Sequence, residues 1–417
     1  MADKMSSDFV TIQPIDFEDD MCPITNHCRK PTISLLLGAG FSQPMGYPMG
    51  KDVNDSLINF DFNHTDISSV GLLSHCSEPS FTYSQYHRNL EFCHRIIDCY
   101  TKCHNGNFDY EEFIDSIHSK DIYDKQYVEK TKGLIQRSED YAQFVFGMEN
   151  IVAQMIETVL KDKDGNIWYD NKPHRMGPIV GYDEFLQVLS NWSNDHIINV
   201  HTLNHDMVFE SFDKTDYLLG KICDGFSING SKYFGEIKTF DGRYYDVRLS
   251  RYTGKYDKPV RLFKLHGSLD YALYYAQKEG TMIPDNCIKT RYGIDKTKLK
   301  CDNSHKQKYD DYQGTYHSYF LSGIVTKQRY YDDKGFFTKI HTHFHKNLKT
   351  AKKLIIIGYG GRDPKINEAI FKNYNYRKRP TIIIDPFPSE SLIKLAERIG
   401  CNIIKKGISE ITMADLQ

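Results

Sequence analysis

The chain of 417 residues has no excess charge of either sign: Lys and Arg number 53 against 55 Asp and Glu, a formal net charge of -2. That balance removes any general electrostatic attraction for nucleic acid or an anionic membrane. Long apolar runs are missing too, and stretches such as 33–37 and 354–357 fall far short of the roughly 20 residues that span a bilayer. Residues 1–10 carry acids and serines with no apolar leader, so no secretory signal is expected and the chain reads as cytoplasmic. None of its ten cysteines stands in a C-x-x-C pair. A zinc ribbon is therefore excluded, and thiols scattered over so long a chain are expected to stay reduced. Repeats and low-complexity tracts are absent. With 40% hydrophobic and 26% charged residues, what remains is the make-up of a globular protein.

Five short runs rich in Ile, Val and Leu punctuate the chain, at 32–37, 197–200, 261–265, 354–357 and 381–384. Each ends in a polar or glycine-rich stretch, the pattern of strands buried on both faces. Separated by helical segments, they predict a doubly wound, Rossmann-like parallel sheet of the α/β class with a large helical insertion. The insertion runs from about 52 to 194. Its clearest helix places Tyr141, Phe144, Val145, Met148, Ile151, Val152, Met155, Ile156, Val159 and Leu160 on one stripe. A second, loop-rich insertion is expected at about 271–336, with a polar surface loop at 296–313. Residues 1–30 read as an arm, 31–404 as the domain and 405–417 as a tail.

The first run leads into Gly38-Ala39-Gly40-Phe41-Ser42, a turn whose glycines let backbone amides approach a pyrophosphate. Gln43 stands where a dinucleotide fingerprint has its third glycine, so the turn alone is equally a structural strand-to-helix turn. Ligands of open parallel sheets sit beyond the carboxyl ends of the strands. Two further strand ends there are polar: His201-Thr202-Leu203-Asn204-His205-Asp206 and His266-Gly267-Ser268. Asn offers an amide to orient a ribose hydroxyl or a water, and His matches proton transfer near neutral pH. For His266 alone, capping the strand is an equal reading. His341, His343 and His345 alternate, but their segment reads as a helix, and no metal is expected.

Taken together these segments resemble the sirtuin-like NAD-consuming domains. Gly38-Ala39-Gly40-Phe41-Ser42 with Gly46-Tyr47-Pro48 is similar to the GAG-x-S…G-x-P motif. Thr202-Leu203-Asn204-His205-Asp206 is similar to T-x-N-x-D, and Lys264-Leu265-His266-Gly267-Ser268 to the catalytic H-G motif. Gly358-Tyr359-Gly360-Gly361-Arg362-Asp363 and Ile384-Asp385-Pro386 resemble the two later strand ends that hold the dinucleotide. All five occur in family order. The resemblance implies NAD+ as substrate, with the backbone of Gly38, Ala39 and Gly40 on the pyrophosphate and Phe41, Ser42, Thr202, Gly358, Tyr359, Gly360 and Asp363 among its contacts. It implies that Asn204 orients the nicotinamide ribose and a water, Asp206 engages the carboxamide, His266 takes a proton and Asp385 meets the adenosine ribose.

The departures narrow the expectation. Sirtuin deacetylases carry a four-cysteine zinc module after the H-G motif, where this chain has only Cys287 and Cys301. Met49-Gly50 replaces their Phe-Arg after G-x-P. The helical insertion and Phe108-Asp109-Tyr110-Glu111-Glu112-Phe113 resemble bacterial sirtuin-like effectors of anti-phage defence, which hydrolyse NAD+ to nicotinamide and ADP-ribose. Without a fused sensor, such an effector is expected to work with a partner on another chain, a HerA-type DNA-translocase ATPase. It is also expected to self-associate through the apolar stripes of its helices. Direct nucleic-acid binding is not expected. A deacylase, an ADP-ribosyltransferase or a non-catalytic NAD/ADP-ribose sensor is the competing expectation.

Overall fold

A computed structural model describes residues 30–68, 71–76, 85–118, 140–160, 181–239, 241–278, 281–290, 294–302, 311–313, 317–320 and 335–417. The expected arm lies almost wholly outside them. Seven parallel strands form the central sheet: β1 (Thr32–Leu37), β2 (Ile197–Thr202), β3 (Ile222–Cys223), β4 (Val260–Lys264), β5 (Ala351–Ile357), β6 (Thr381–Ile384) and β7 (Ile403–Ile404). Their order is β7-β6-β5-β1-β2-β4-β3. The chain leaves β1 toward one edge through β2 and β4, then returns to lay β5 against the other side of β1. The sheet is therefore doubly wound, and its direction reverses between β1 and β5.

Both faces of the sheet are covered, which is why its strands read as unbroken apolar runs. Ile33, Leu35 and Leu37 of β1 enter one core with Val200, Leu262, Ile355 and Ile357. The intervening Leu36 enters the other with Phe263, Leu354 and Ile356. Phe185, Leu186, Val188 and Leu189 of the helix Asp183–Trp192 close the first face. Helices Phe336–Thr350, Pro364–Asn373 and Glu390–Ile399 close the second. His341 and His345 thus sit one helical turn apart, and the histidine triplet is not spread along a strand.

Three expectations are corrected. Residues 405–417 are not a loose tail, because Ile408, Ile411 and Leu416 are buried in the first core. The region from 271 is built of strands where loop was expected. Tyr271–Lys278 and Thr281–Lys289 form a hairpin in a five-stranded antiparallel sheet with Gly225–Ser227, Ser250–Lys255 and Asp311–Gln313. Tyr271, Ala272, Leu273 and Tyr274 are all buried, so the alternation that marks a half-exposed strand never shows. Within the polar stretch, Lys296 is buried against Glu157 at 3.3 Å; residues 303–310 lie outside the described residues. The third concerns the helical insertion. Phe144, Met148, Ile151, Val152 and Met155 of the helix Asp140–Val159 close on Phe92, Ile96 and Ile97 of Gln85–Cys103 and on Phe113 and Ile114 of Tyr110–His118. The stripes satisfy one another within the chain, so they supply no reason for self-association.

Candidate functional site

The turn after β1 and the end of β5 meet at the switch point. Gly38 N donates to Ile357 O at 3.0 Å and Gly40 N donates to Gly358 O at 3.1 Å. A β-carbon on Gly38 would stand 2.5 Å from Gly358 O, so glycine is required there by the close approach of two backbones. Two of the amides expected to cradle a pyrophosphate are thus already engaged between strand ends. The short helix Ala39–Ser42 follows, and Phe41 turns inward. Its ring packs edge-on against Tyr182 and Phe185, each with centroids 5.3 Å away, and Tyr182 donates its hydroxyl to Phe41 O. The Phe41 side chain, expected among dinucleotide contacts, belongs to the core.

Asn204 lies just beyond β2, beside this turn. Its Nδ2 donates to Gly38 O and to Ser42 Oγ, both at 2.9 Å, and its backbone N donates to Thr202 Oγ1 at 3.1 Å. An amide nitrogen has two hydrogens, and both are accounted for. The amide plane is therefore fixed and presents Oδ1, an acceptor, away from the turn. Ser42 and Thr202 are buried and serve to set Asn204. Asp206 is committed differently: Oδ1 accepts from Val208 N at 2.9 Å, capping the next helical turn. Its carbonyl oxygen accepts from Lys264 Nζ, and that buried lysine also pairs with Glu210 at 3.2 Å.

His266 follows β4 and is only 5% exposed. Its Nε2 lies 3.3 Å from Asp363 Oδ2, and its ring is 6.5 Å from that of His205. Behind it His341 contacts Leu265 O through Nε2 at 3.2 Å, and burial lowers the His341 pKa to about 3. Asp363 stands after β5, where Oδ1 accepts from Lys365 N and Ile366 N and caps the helix Pro364–Asn373. Sequence reasoning placed Asp363 among the dinucleotide contacts and missed its pairing with His266; no local signal marks it. Tyr359 is buried, with its hydroxyl donating to Asp363 O at 3.1 Å, and burial pushes its pKa well up. Gly360 is exposed and its carbonyl accepts from Ser389 Oγ at 2.5 Å. Asp385, after β6, accepts from Phe387 N at 2.8 Å, and partial burial raises its pKa. Phe387 beside it is 90% exposed.

The structure also joins the helical insertion to the segment after His266. Lys296 Nζ donates to Leu269 O at 2.6 Å, and Ser318 donates its backbone N to Glu157 and its Oγ to Leu269 O. His317 Nε2 meets Asn150 Oδ1 at 2.7 Å. Among the described residues no group of three or more His, Cys, Asp or Glu side chains is placed to hold a metal ion. No described helix is long and apolar enough to cross a membrane.

The strand order, which reverses between β1 and β5, defines a doubly wound α/β protein with polar residues at the ends of its strands. No family model and no curated protein matches the chain. Solved structures of Sir2 enzymes do superpose on it. One, concerned with the mechanism and regulation of Sir2 enzymes, covers 92% of this chain and 89% of its own, at 10% identity and a TM-score of 0.32. Two mutants of a Sir2 homologue in complex with ADP-ribose each cover 91% of this chain and 88% of their own, at 11% identity and a TM-score of 0.33. These likenesses are weak, and the α/β class rests on the strand order itself.

Proposed function

We propose that the protein is an NAD+ glycohydrolase, cleaving NAD+ to nicotinamide and ADP-ribose. The observation that carries this reading is the fixed amide of Asn204, whose Nδ2 is held by Gly38 O and Ser42 Oγ and whose Oδ1 is left as an acceptor. The bond from ribose to cationic nicotinamide breaks through an oxocarbenium-like transition state, as in glycoside hydrolysis. Little covalent help is then needed: the site has to position the dinucleotide and a water. Asn204 Oδ1 accepts from that water or from a ribose hydroxyl. The water oxygen bonds to the ribose carbon as nicotinamide leaves with the bonding pair, and His266 takes the water's proton. The backbone around Ala39 and the ends of β5 and β6 hold the rest of the dinucleotide, with Asp385 on the adenosine ribose. Its two engaged amides make the Gly38–Gly40 turn a partial phosphate cradle.

Such an activity suits a toxic effector of anti-phage defence, restrained until a partner such as a HerA-type ATPase releases it. The deacylase alternative remains the direct competitor, since lysine deacylation begins with attack on the same ribose carbon. Incubation with NAD+, with and without an acetyl-lysine peptide, separates the two. Nicotinamide and ADP-ribose released without peptide support hydrolysis; release that depends on peptide overturns it in favour of deacylation. Binding without turnover, in the presence of the partner, overturns both in favour of a sensor.

A further inference from the structure

We propose that Arg362 is the cation that meets the diphosphate of the dinucleotide. The inference rests on the reading of NAD+ as the substrate. A diphosphate is anionic, and the amides of Gly38 and Gly40 that would cradle it are engaged with Ile357 O and Gly358 O. Opposite charge at that end of the site then has to come from a side chain. Arg362 follows closely on Gly358, where an added β-carbon would collide with the backbone of Gly40. The backbone beneath it is fixed. Gly361 O accepts from Asn367 Nδ2 at 2.8 Å, and a β-carbon on Gly361 would stand 2.7 Å from Leu392 N. The Arg362 side chain, by contrast, is 74% exposed, and its only ion pair among the described residues is with Asp109, Nη1 to Oδ2 at 3.8 Å. No hydrogen bond accompanies that pair, so the planar fork of N–H donors that suits a phosphate is left for one.

Asp109 shows where the side chain lies. Its Oδ1 accepts from Glu111 N at 3.0 Å and Glu112 N at 3.2 Å, and the neighbouring Tyr110 N donates to Asn54 Oδ1 at 2.9 Å. Asn54 belongs to the helix Gly50–Ile58, which follows the turn after β1. Arg362 therefore reaches from the loop after β5 to a segment fastened to the helix after β1, and the sheet reverses between those two strands. Lys365, the next cation along, has its ammonium 3.9 Å from Glu368 on its own helix. An exposed, loose pair contributes little stability, so Arg362 can leave Asp109 for a phosphate at small cost.

Titration calorimetry with ADP-ribose tests this without turnover. Arg362→Gln is expected to raise Kd about tenfold or more at an unchanged melting temperature, the worth of a charge-assisted hydrogen bond. Arg362→Lys, which keeps the charge but not the fork, should fall between. For cleavage, KM for NAD+ should rise in step while kcat changes less than about threefold. An equal loss with nicotinamide riboside, which has no phosphate, would overturn the proposal. Asp109→Asn keeps the Oδ1 contacts and releases the guanidinium, so its Kd should match the wild type or be lower. Equal weakening in Arg362→Gln and Asp109→Asn would show that the pair is only structural and would overturn the proposal, as would an unchanged Kd in Arg362→Gln. A wild type that binds ADP-ribose but leaves NAD+ intact overturns the glycohydrolase reading alone, because the calorimetry still decides the role of Arg362. A wild type that binds neither ADP-ribose nor NAD+ overturns both.

Discussion

Gly358 lies against Gly40 so closely that a β-carbon on Gly358 would stand 2.7 Å from the Gly40 α-carbon and 2.4 Å from Phe41 N. Its φ of +62° adds a second demand for glycine. Gly358→Ala is expected to destabilise the fold by about 2–5 kcal/mol, summing left-handed strain and overpacking. Gly50→Ala is the control, since nothing lies within 4 Å of the added carbon at the start of its helix. It should be neutral or stabilising by up to about 1 kcal/mol. Urea midpoints of both variants check the pair; equal effects would show that the crossing is loose.

Asn204→Ala removes the acceptor and leaves the strand end without a packing loss. NAD+ cleavage is expected to fall by roughly two or more orders of magnitude with little change in melting temperature. Ser42→Ala removes only one of two bonds that hold the amide, so a loss of about tenfold is expected, the worth of one hydrogen bond. Near-wild-type turnover in folded Asn204→Ala protein sinks the assignment of Asn204.

Glu157 and Lys296 form a buried pair that ties the helix Asp140–Val159 to Leu269 O and Ser318. Removing one partner strands the other, and Glu157→Ala should cost about 3–5 kcal/mol. Glu157→Leu combined with Lys296→Met should recover much of that loss, since the uncompensated charge is then gone. Denaturant titration of the single and double variants tests this. If both lose the same amount, Lys296 acts through its hydrogen bonds to Leu269 and Ser318.

Acid should weaken the fold through two histidines. Burial lowers the pKa of both His201 and His341 from 6.5 to about 3. Both are neutral when folded, while the unfolded chain protonates them below its ordinary value. Stability from these groups is complete above pH 6.5 and is lost progressively as pH falls toward 3. Replacing His341 with Gln, which keeps a donor for Leu265 O, should flatten the slope over that window by up to about 1.4 kcal/mol per pH unit. Unfolding free energies at pH 7, 6, 5 and 4 provide the check, and an unaltered slope would mean that His341 titrates normally.

The five principal strands were legible because burial on both faces makes a strand continuously apolar, as in the Leu35-Leu36-Leu37 run of β1. The edge strands β3 and β7 are two residues each and carry no pattern of their own. The antiparallel sheet escaped notice for another reason. Tyr271 and Tyr274 bury their rings at positions where sequence alone reads tyrosine as amphipathic, and Lys289 is drawn inward by Asp224 at 2.5 Å and Asp270 at 3.3 Å. At the site, Asn204 and His266 announced themselves as polar ends of apolar strands. The engagement of Gly38 and Gly40, and the pairing of Asp363 with His266, join distant segments and have no local signature.

The central position of β1 has a consequence for the order in which the molecule is made. Thr32 pairs with Ile197 on one side and with Ala351 on the other. This strand therefore waits, with its apolar faces uncovered, for one neighbour far along the chain and another farther still. Non-local pairing of this kind folds slowly and exposes sticky surface meanwhile. The helices of the insertion close on one another through contacts nearer in sequence, so they can form before β1 has found its neighbours. The glycine crossing between the turn after β1 and the end of β5 has to wait as well, since it cannot form before Gly358 has left the ribosome.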